Sequence, residues 1–138
     1  MTAWVIDASL MMNWYLTDEQ DRQYSISVFA ALGEREILVR SLWVYEVANT
    51  LLVALRRGRI AQERIQEVLE TVIDFNLRID EVVPTSAQRL AQSGLKYGLT
   101  VYDAAYLDLA LRSSSPIATK DKALLQAMRA TNVQLVTP

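Results

Sequence analysis

The chain contains no cysteine and no histidine. Disulfides, thiolate nucleophiles, imidazole general bases and the usual nitrogen and sulfur ligands of zinc are therefore excluded. Whatever chemistry occurs must use carboxylates and hydroxyls. The N-terminus lacks the basic flank, apolar stretch and small-residue cleavage site of a secretory signal, and no apolar run is long enough to cross a bilayer. The expectation is a cytoplasmic protein without membrane contact. Nor does one sign of charge dominate: 14 Lys and Arg face 16 Asp and Glu. A nucleic-acid partner would have to be held by a local basic patch, not by a broadly cationic surface. Repeats, low-complexity tracts and linkers are absent too.

What remains is 138 residues, 51% of them hydrophobic, enough for one domain over 1–138 with a real core. Short apolar runs at 3–6, 37–39, 82–83, 116–119 and 133–136 read as strands buried on both faces. Helical patterns fill 18–33, 41–57, 61–75, 85–95, 100–112 and 121–130. In the third of these, Ile65, Val68, Leu69 and Val72 share one face while Glu63, Glu67, Glu70 and Asp74 fill the other. Helices alternating with short buried strands predict an α/β fold: a five-stranded parallel sheet covered on both sides.

In such a sheet, ligands gather outside the carboxyl ends of the strands. Asp7 closes the first strand in Val5-Ile6-Asp7-Ala8-Ser9, and Asp121 follows the fourth in Ala118-Thr119-Lys120-Asp121. Either would equally serve as a helix N-cap. Glu46 forms a short polar stripe with Asn49 and Thr50 in an otherwise apolar helix, and Val53 interrupts that stripe. An enclosed carboxylate needs a partner, while a solvent face continued by Arg56 and Arg57 is the alternative. Asp103 lies in a stretch, 101–111, that is apolar nearly all round, as in a helix buried among neighbours, with Thr100 placed to cap it. Asp103 and Asp108 lie roughly 140° apart at ~100° per residue. They cannot both serve one tight site, and Asp108 is expected to face solvent.

Gathered together, Asp7, Glu46, Asp103 and Asp121 would repel by roughly 1 to 4 kcal/mol per pair at ~4 Å. Such a cluster calls for cations. Oxygen donors without His or Cys select hard ions, Mg²⁺ or Mn²⁺, which in acidic sites commonly activate water against phosphodiesters.

The segments Val5-Ile6-Asp7-Ala8-Ser9-Leu10, Tyr45-Glu46-Val47-Ala48-Asn49-Thr50-Leu51, Tyr102-Asp103-Ala104-Ala105-Tyr106-Leu107 and Ala118-Thr119-Lys120-Asp121-Lys122-Ala123-Leu124 resemble, in order and spacing, the four signatures of PIN-domain ribonucleases, most of all the VapC toxin type. The resemblance covers essentially the whole chain. It implies that Asp7, Glu46, Asp103 and Asp121 form a catalytic, metal-binding site, with Asp7 and Asp103 foremost in metal contact. Ser9, Asn49 and Thr119 would orient carboxylates or water around it. It further implies sheet order 3-2-1-4-5, endonucleolytic hydrolysis of RNA by a metal-activated water, homodimerisation and inhibition by a cognate antitoxin protein.

Lys120 and Lys122 flank Asp121 and, with Arg56, Arg57 and Arg59, are candidate RNA phosphate contacts. Favourable placement at a helix C-terminus accounts for the arginines equally well. Trp14 and Tyr15 are suited to base stacking, to an antitoxin helix, or to core and dimer packing. Two other functions stay open. One is a catalytically silent module on this fold that binds RNA or protein; the other is a phosphate-handling α/β protein with Asp7 as phosphoryl acceptor, although no second aspartate stands beside Asp7.

Overall fold

The computed structural model describes residues 1–138. Four strands, β1 (Trp4–Ile6), β2 (Ile37–Arg40), β3 (Leu77–Asp80) and β4 (Ile117–Ala118), make one sheet in the order β3-β2-β1-β4. Every pairing is parallel: Val5 stands beside Leu38 on one side and Ile117 on the other, and Arg40 beside Asp80. β1 and β2 are buried along their whole length, as an inner parallel strand requires.

Seven helices connect and cover the sheet: α1 (Ala8–Tyr15), α2 (Gln23–Leu32), α3 (Ser41–Arg56), α4 (Gln62–Asp74), α5 (Ser86–Tyr97), α6 (Val101–Ser113) and α7 (Lys122–Thr131). The steps from β1 to β2 and from β2 to β3 run in one direction, so right-handed crossovers put α1 to α4 on one face. The step to β4 runs back across β1 and puts α5 and α6 on the other. Packing follows suit: α1 lies against α2 and α3, while α6 lies against α5, α7 and the three strands β1, β2 and β4. The order in which strands are added reverses at β1, between β1 and β4, which opens a crevice at their carboxyl ends.

The parallel α/β class and the order of the first four strands agree with the sequence reading, and three details differ. The expected fifth strand is a single parallel bridge, Leu135 to Ile117, held by backbone bonds Ile117 N to Gln134 O and Val136 N to Ile117 O, both 2.9 Å. β4 is only two residues long, too short to template more. The third strand lies at Leu77–Asp80 and not at 82–83; Val82 and Val83 are half exposed and precede Pro84, while edge pairing to β2 recruits the mixed segment before them. Helix α1 was hidden because Ala8, Leu10, Met11, Met12 and Tyr15 are all buried, leaving no polar face to mark a helical period.

The core runs through both layers, with Ile6, Leu10, Met11, Trp43, Leu107 and Ile117 among its fully buried side chains. Trp14 stacks on Phe29 with ring centroids 4.1 Å apart and 7° between planes. Tyr15 is buried beside it. Tyr15 is thus a core residue, and Trp14 packs half-buried against the core with one ring face taken by Phe29. No helix is long and apolar enough to cross a membrane.

Candidate active site

Asp7 is the residue after β1 and the N-cap of α1, so its cap role and its position at the crevice are the same fact. Its Oδ1 accepts from the Ser9 backbone N–H at 3.0 Å and its Oδ2 from the Thr119 hydroxyl at 2.9 Å. Thr119, the residue after β4, is buried and its hydroxyl oxygen also accepts from the Asp121 N–H at 3.1 Å. One threonine thus ties the carboxyl ends of β1 and β4 together. Asp121 caps α7, its Oδ2 accepting from the Leu124 N–H at 2.8 Å.

Glu46 comes from α3, which buries Trp43, Val47, Leu51 and Ala54 on one face and leaves Glu46 half-buried on its flank. Asp103 sits in the first turn of α6, where the Thr100 hydroxyl caps its N–H at 3.1 Å. One turn further along α6, Tyr106 is buried; its hydroxyl accepts from the Ala8 N–H at 3.0 Å and donates to Glu46 Oε2 at 3.3 Å. Tyr106 therefore fastens α1, α3 and α6 around the acidic group. Its place in an apolar helix made it look like a core residue, and only its spacing of three from Asp103 could have pointed to the site.

Three of these carboxylates sense acidic neighbours. Burial pushes the Asp7 carboxyl up from its ordinary value, partly offset by its bonds from Ser9 and Thr119, and the Asp121 charge pushes it further. Glu46 is raised by burial and then by Asp7 and Asp103, against the Tyr106 hydrogen bond. Asp103 is raised by burial, then by Asp121 and Asp7. All the charges acting on these three groups are negative. Tyr106 is itself pushed up, by burial first and then by Asp7 and Glu46.

Asp108 shows the opposite arrangement, and it corrects the expectation that it faces solvent. It is buried, accepting from Arg40 Nη2 at 2.5 Å, Arg89 Nε at 2.7 Å and Arg112 Nε at 2.9 Å. Arg40 and Arg112 also reach Asp80, at 3.3 and 2.7 Å. Burial alone would raise the Asp108 carboxyl; bonds from Arg89 and Arg112 overcome it and hold it low. Those arginines come from β2, α5 and the next turn of α6, so a helix pattern could not reveal them. This fold therefore surrounds one buried carboxylate with three guanidinium groups and leaves four others with none.

Uncompensated hard-oxygen donors suit Mg²⁺ or Mn²⁺ in charge and donor type. The site is open: no three acidic side chains stand close enough to enclose an ion. The remaining residues named from the sequence are dispersed. Ser9 contributes its backbone N–H to Asp7, and Asn49 is exposed on α3 without a bond to any of the four carboxylates. Lys120 is half-buried beside Asn13 and Asp21, and Lys122 is exposed. Arg56 and Arg57 are exposed, whereas Arg59 is engaged by Asp18 and Glu19 at 2.9 Å each. A larger hollow of about 490 Å³ lies at the amino ends of β1 and β4, by Thr2 and Pro116, and has no titratable side chain in its lining.

A three-layer α/β fold with an acidic crevice between β1 and β4 is the architecture of a PIN domain, and the PIN domain family model matches residues 4–129. The chain belongs to that family. It is 33% identical to Ribonuclease VapC3 of Pyrobaculum aerophilum, an alignment covering 97% of this chain and 98% of the relative. Among solved structures, Mycobacterium tuberculosis VapC20, a sarcin-ricin loop cleaving toxin, superposes with a TM-score of 0.71 at 10% identity, over 98% of this chain and 99% of that one. A second Pyrobaculum aerophilum protein superposes with a TM-score of 0.67 at 23% identity, over 91% of this chain and 79% of its own. At such identities these two structures speak for the fold alone.

Proposed function

We propose that the protein is a Mg²⁺- or Mn²⁺-dependent endoribonuclease, the toxin of a toxin–antitoxin pair, with Asp7, Glu46, Asp103 and Asp121 as its catalytic carboxylates. The observation that carries this reading is the uncompensated charge of that group, set against the fully matched charge of Asp108. Kinship with Ribonuclease VapC3 over nearly the full length supports RNA as the substrate. A bound divalent ion would supply Lewis acidity and an activated water to phosphodiester hydrolysis. Asp7 and Asp103 are the foremost donors for it, with Glu46 and Asp121 completing the ring.

The chain's own residues do the positioning. Thr119 holds one Asp7 oxygen and Ser9 N–H the other, so the carboxylate plane is set before any ligand arrives. Tyr106 similarly restrains Glu46. Lys120 and Lys122 beside Asp121 take RNA phosphates, with Arg56 and Arg57 as more distant contacts. Arg59 contributes less because Asp18 and Glu19 already hold it. Tyr45 and Tyr102 are 73% and 62% exposed and directly precede Glu46 and Asp103; they are the rings available for splayed bases. We further propose a homodimer that an antitoxin protein silences.

The test is cleavage of a total RNA mixture with and without Mn²⁺, followed by sequencing of the RNA ends. Cleavage that needs the ion and disappears in Asp7→Asn supports the reading; cleavage retained in that variant refutes it. The open spacing of the acidic side chains favours a second reading, a silent RNA- or protein-binding module. Mn²⁺ titration separates the two, since a silent module would show no ion binding.

A further inference from the structure

A cleft of about 360 Å³ adjoins the acidic group, lined by Ser9, Met12, Asn13, Glu19, Thr50 and Lys120 among others. Its walls continue the site itself: Ser9 lies two residues beyond Asp7, Thr50 one helical turn beyond Glu46, and Lys120 one residue before Asp121. The size is within the ~300–1000 Å³ usual for small-ligand pockets. The lining is mostly polar: Leu10 and Met12 lie almost wholly buried behind it, and the rest offer donors, acceptors and one cation.

Lys120 is the informative member. Its ammonium belongs to the residue before Asp121, yet it is paired with none of the four carboxylates. Instead Asn13 Oδ1 holds Nζ at 3.4 Å, the Asp21 carbonyl accepts from it and the Asp21 carboxylate lies 3.8 Å away. Asn13 is in turn fixed: its Oδ1 accepts from the buried Ser25 hydroxyl at 2.7 Å and its Nδ2 donates to the Gln20 carbonyl at 3.2 Å. The lysine keeps about a third of its side-chain surface open. A cation held off the acidic group and left partly open to a cleft is prepared for an anion that spans both.

We propose that this cleft is a nucleotide subsite: it receives the RNA nucleotide next to the bond being cut, with that nucleotide's phosphate on Lys120 and its sugar and base against Ser9, Thr50 and Glu19. Lys120 draws one phosphate in while the carboxylates repel bare phosphate, so strand position is set before hydrolysis. Glu19, whose Oε1 accepts from Arg59 at 2.9 Å, keeps acceptor capacity for a base edge that donates, as the amino groups of cytosine, adenine and guanine do. The inference rests on the ribonuclease reading and adds the groove that selects one nucleotide.

The test uses the full chain as Asp7→Asn in chelator, so that binding is read without cleavage. The four ribonucleoside monophosphates are titrated by NMR, with inorganic phosphate as control. At least one nucleotide is expected to bind about ten-fold more tightly than phosphate, with Lys120→Gln weakening it about ten-fold and Lys120→Arg recovering most of the loss. In cleavage by the otherwise unaltered chain, Lys120→Gln should raise KM about ten-fold and change kcat far less, and should flatten the salt dependence by roughly one phosphate contact. Nucleotides that bind no better than phosphate, or a Lys120→Gln variant that binds them unchanged, overturn the proposal. If the unaltered chain cuts no RNA but nucleotides bind through Lys120, the cleft stands and the ribonuclease reading falls.

Discussion

Replacing Asp108 with Asn keeps the shape of the side chain and removes its charge, which isolates the worth of the buried ion cluster. Arg40 would then retain only Asp80, at 3.3 Å, with its own side chain 4% exposed. Breaking a buried pair by removing one partner costs about 3–5 kcal/mol, because the other charge stays buried. The Asp80 contact compensates in part, and Arg89 and Arg112, 49% and 39% exposed, regain water. The expected loss is therefore near the low end, about 3 kcal/mol. Urea unfolding should show a lower midpoint with an unchanged slope. The pH dependence supplies a second check. The Asp108 carboxyl is held below its ordinary 3.8 in the fold, so its contribution is complete above 3.8 and fades as pH falls through the lowered value. The two proteins should thus converge in strong acid. By contrast, Arg89→Ala, at an exposed partner, should cost far less than Asp108→Asn. A loss below about 1 kcal/mol for Asp108→Asn at neutral pH would show that the cluster is no more than a surface pair.

The acidic group should behave in the reverse sense. Because Asp7, Glu46 and Asp103 are raised above 3.8, 4.5 and 3.8 in the fold, chelated protein should lose stability as pH rises from those values through the raised ones. Melting temperature between mildly acid and neutral pH reads this, and a rise instead would contradict the uncompensated cluster. Asp7→Asn should accordingly stabilise the chelated protein at neutral pH while abolishing cleavage. Mn²⁺ at a hundred times its Kd should stabilise the unaltered chain by about 2.7 kcal/mol, and Asp103→Asn should remove most of that gain in a thermal melt. Tyr106→Phe leaves the buried Ala8 N–H without its acceptor and frees Glu46, for a loss of about 1–3 kcal/mol together with slower cleavage; unfolding and rate measurements on one preparation check both. Tyr45→Ala should weaken RNA binding by about 1–3 kcal/mol if the ring stacks on a base, Tyr45→Trp should restore it, and equal affinity in all three forms would exclude the ring from the RNA path.

The corrections share a cause, which is that neighbours from distant segments decided them. The edge strand Leu77–Asp80 alternates apolar and charged residues over only four positions, too short a pattern to stand alone, and is fixed by the ladder that β2 offers. The segment around Leu135 has the composition of a strand and finds only a two-residue partner. Asp108 reads as a solvent charge until Arg40, 68 residues earlier in the chain, is seen against it. Tyr106 reads as packing until its hydroxyl is found on Ala8 and Glu46.

The sequence by itself determined the parallel α/β class, because short doubly buried strands alternating with helices leave little other way to cover a sheet. It also singled out four carboxylates in a chain without His or Cys, because caps and strand ends are local and their order along the chain is legible. Only the tertiary structure decided the state of their charges. Electrostatic balance depends on which groups meet across the fold. The chain's local pattern could not tell that three arginines converge on Asp108 while Asp7, Glu46, Asp103 and Asp121 have no arginine partner.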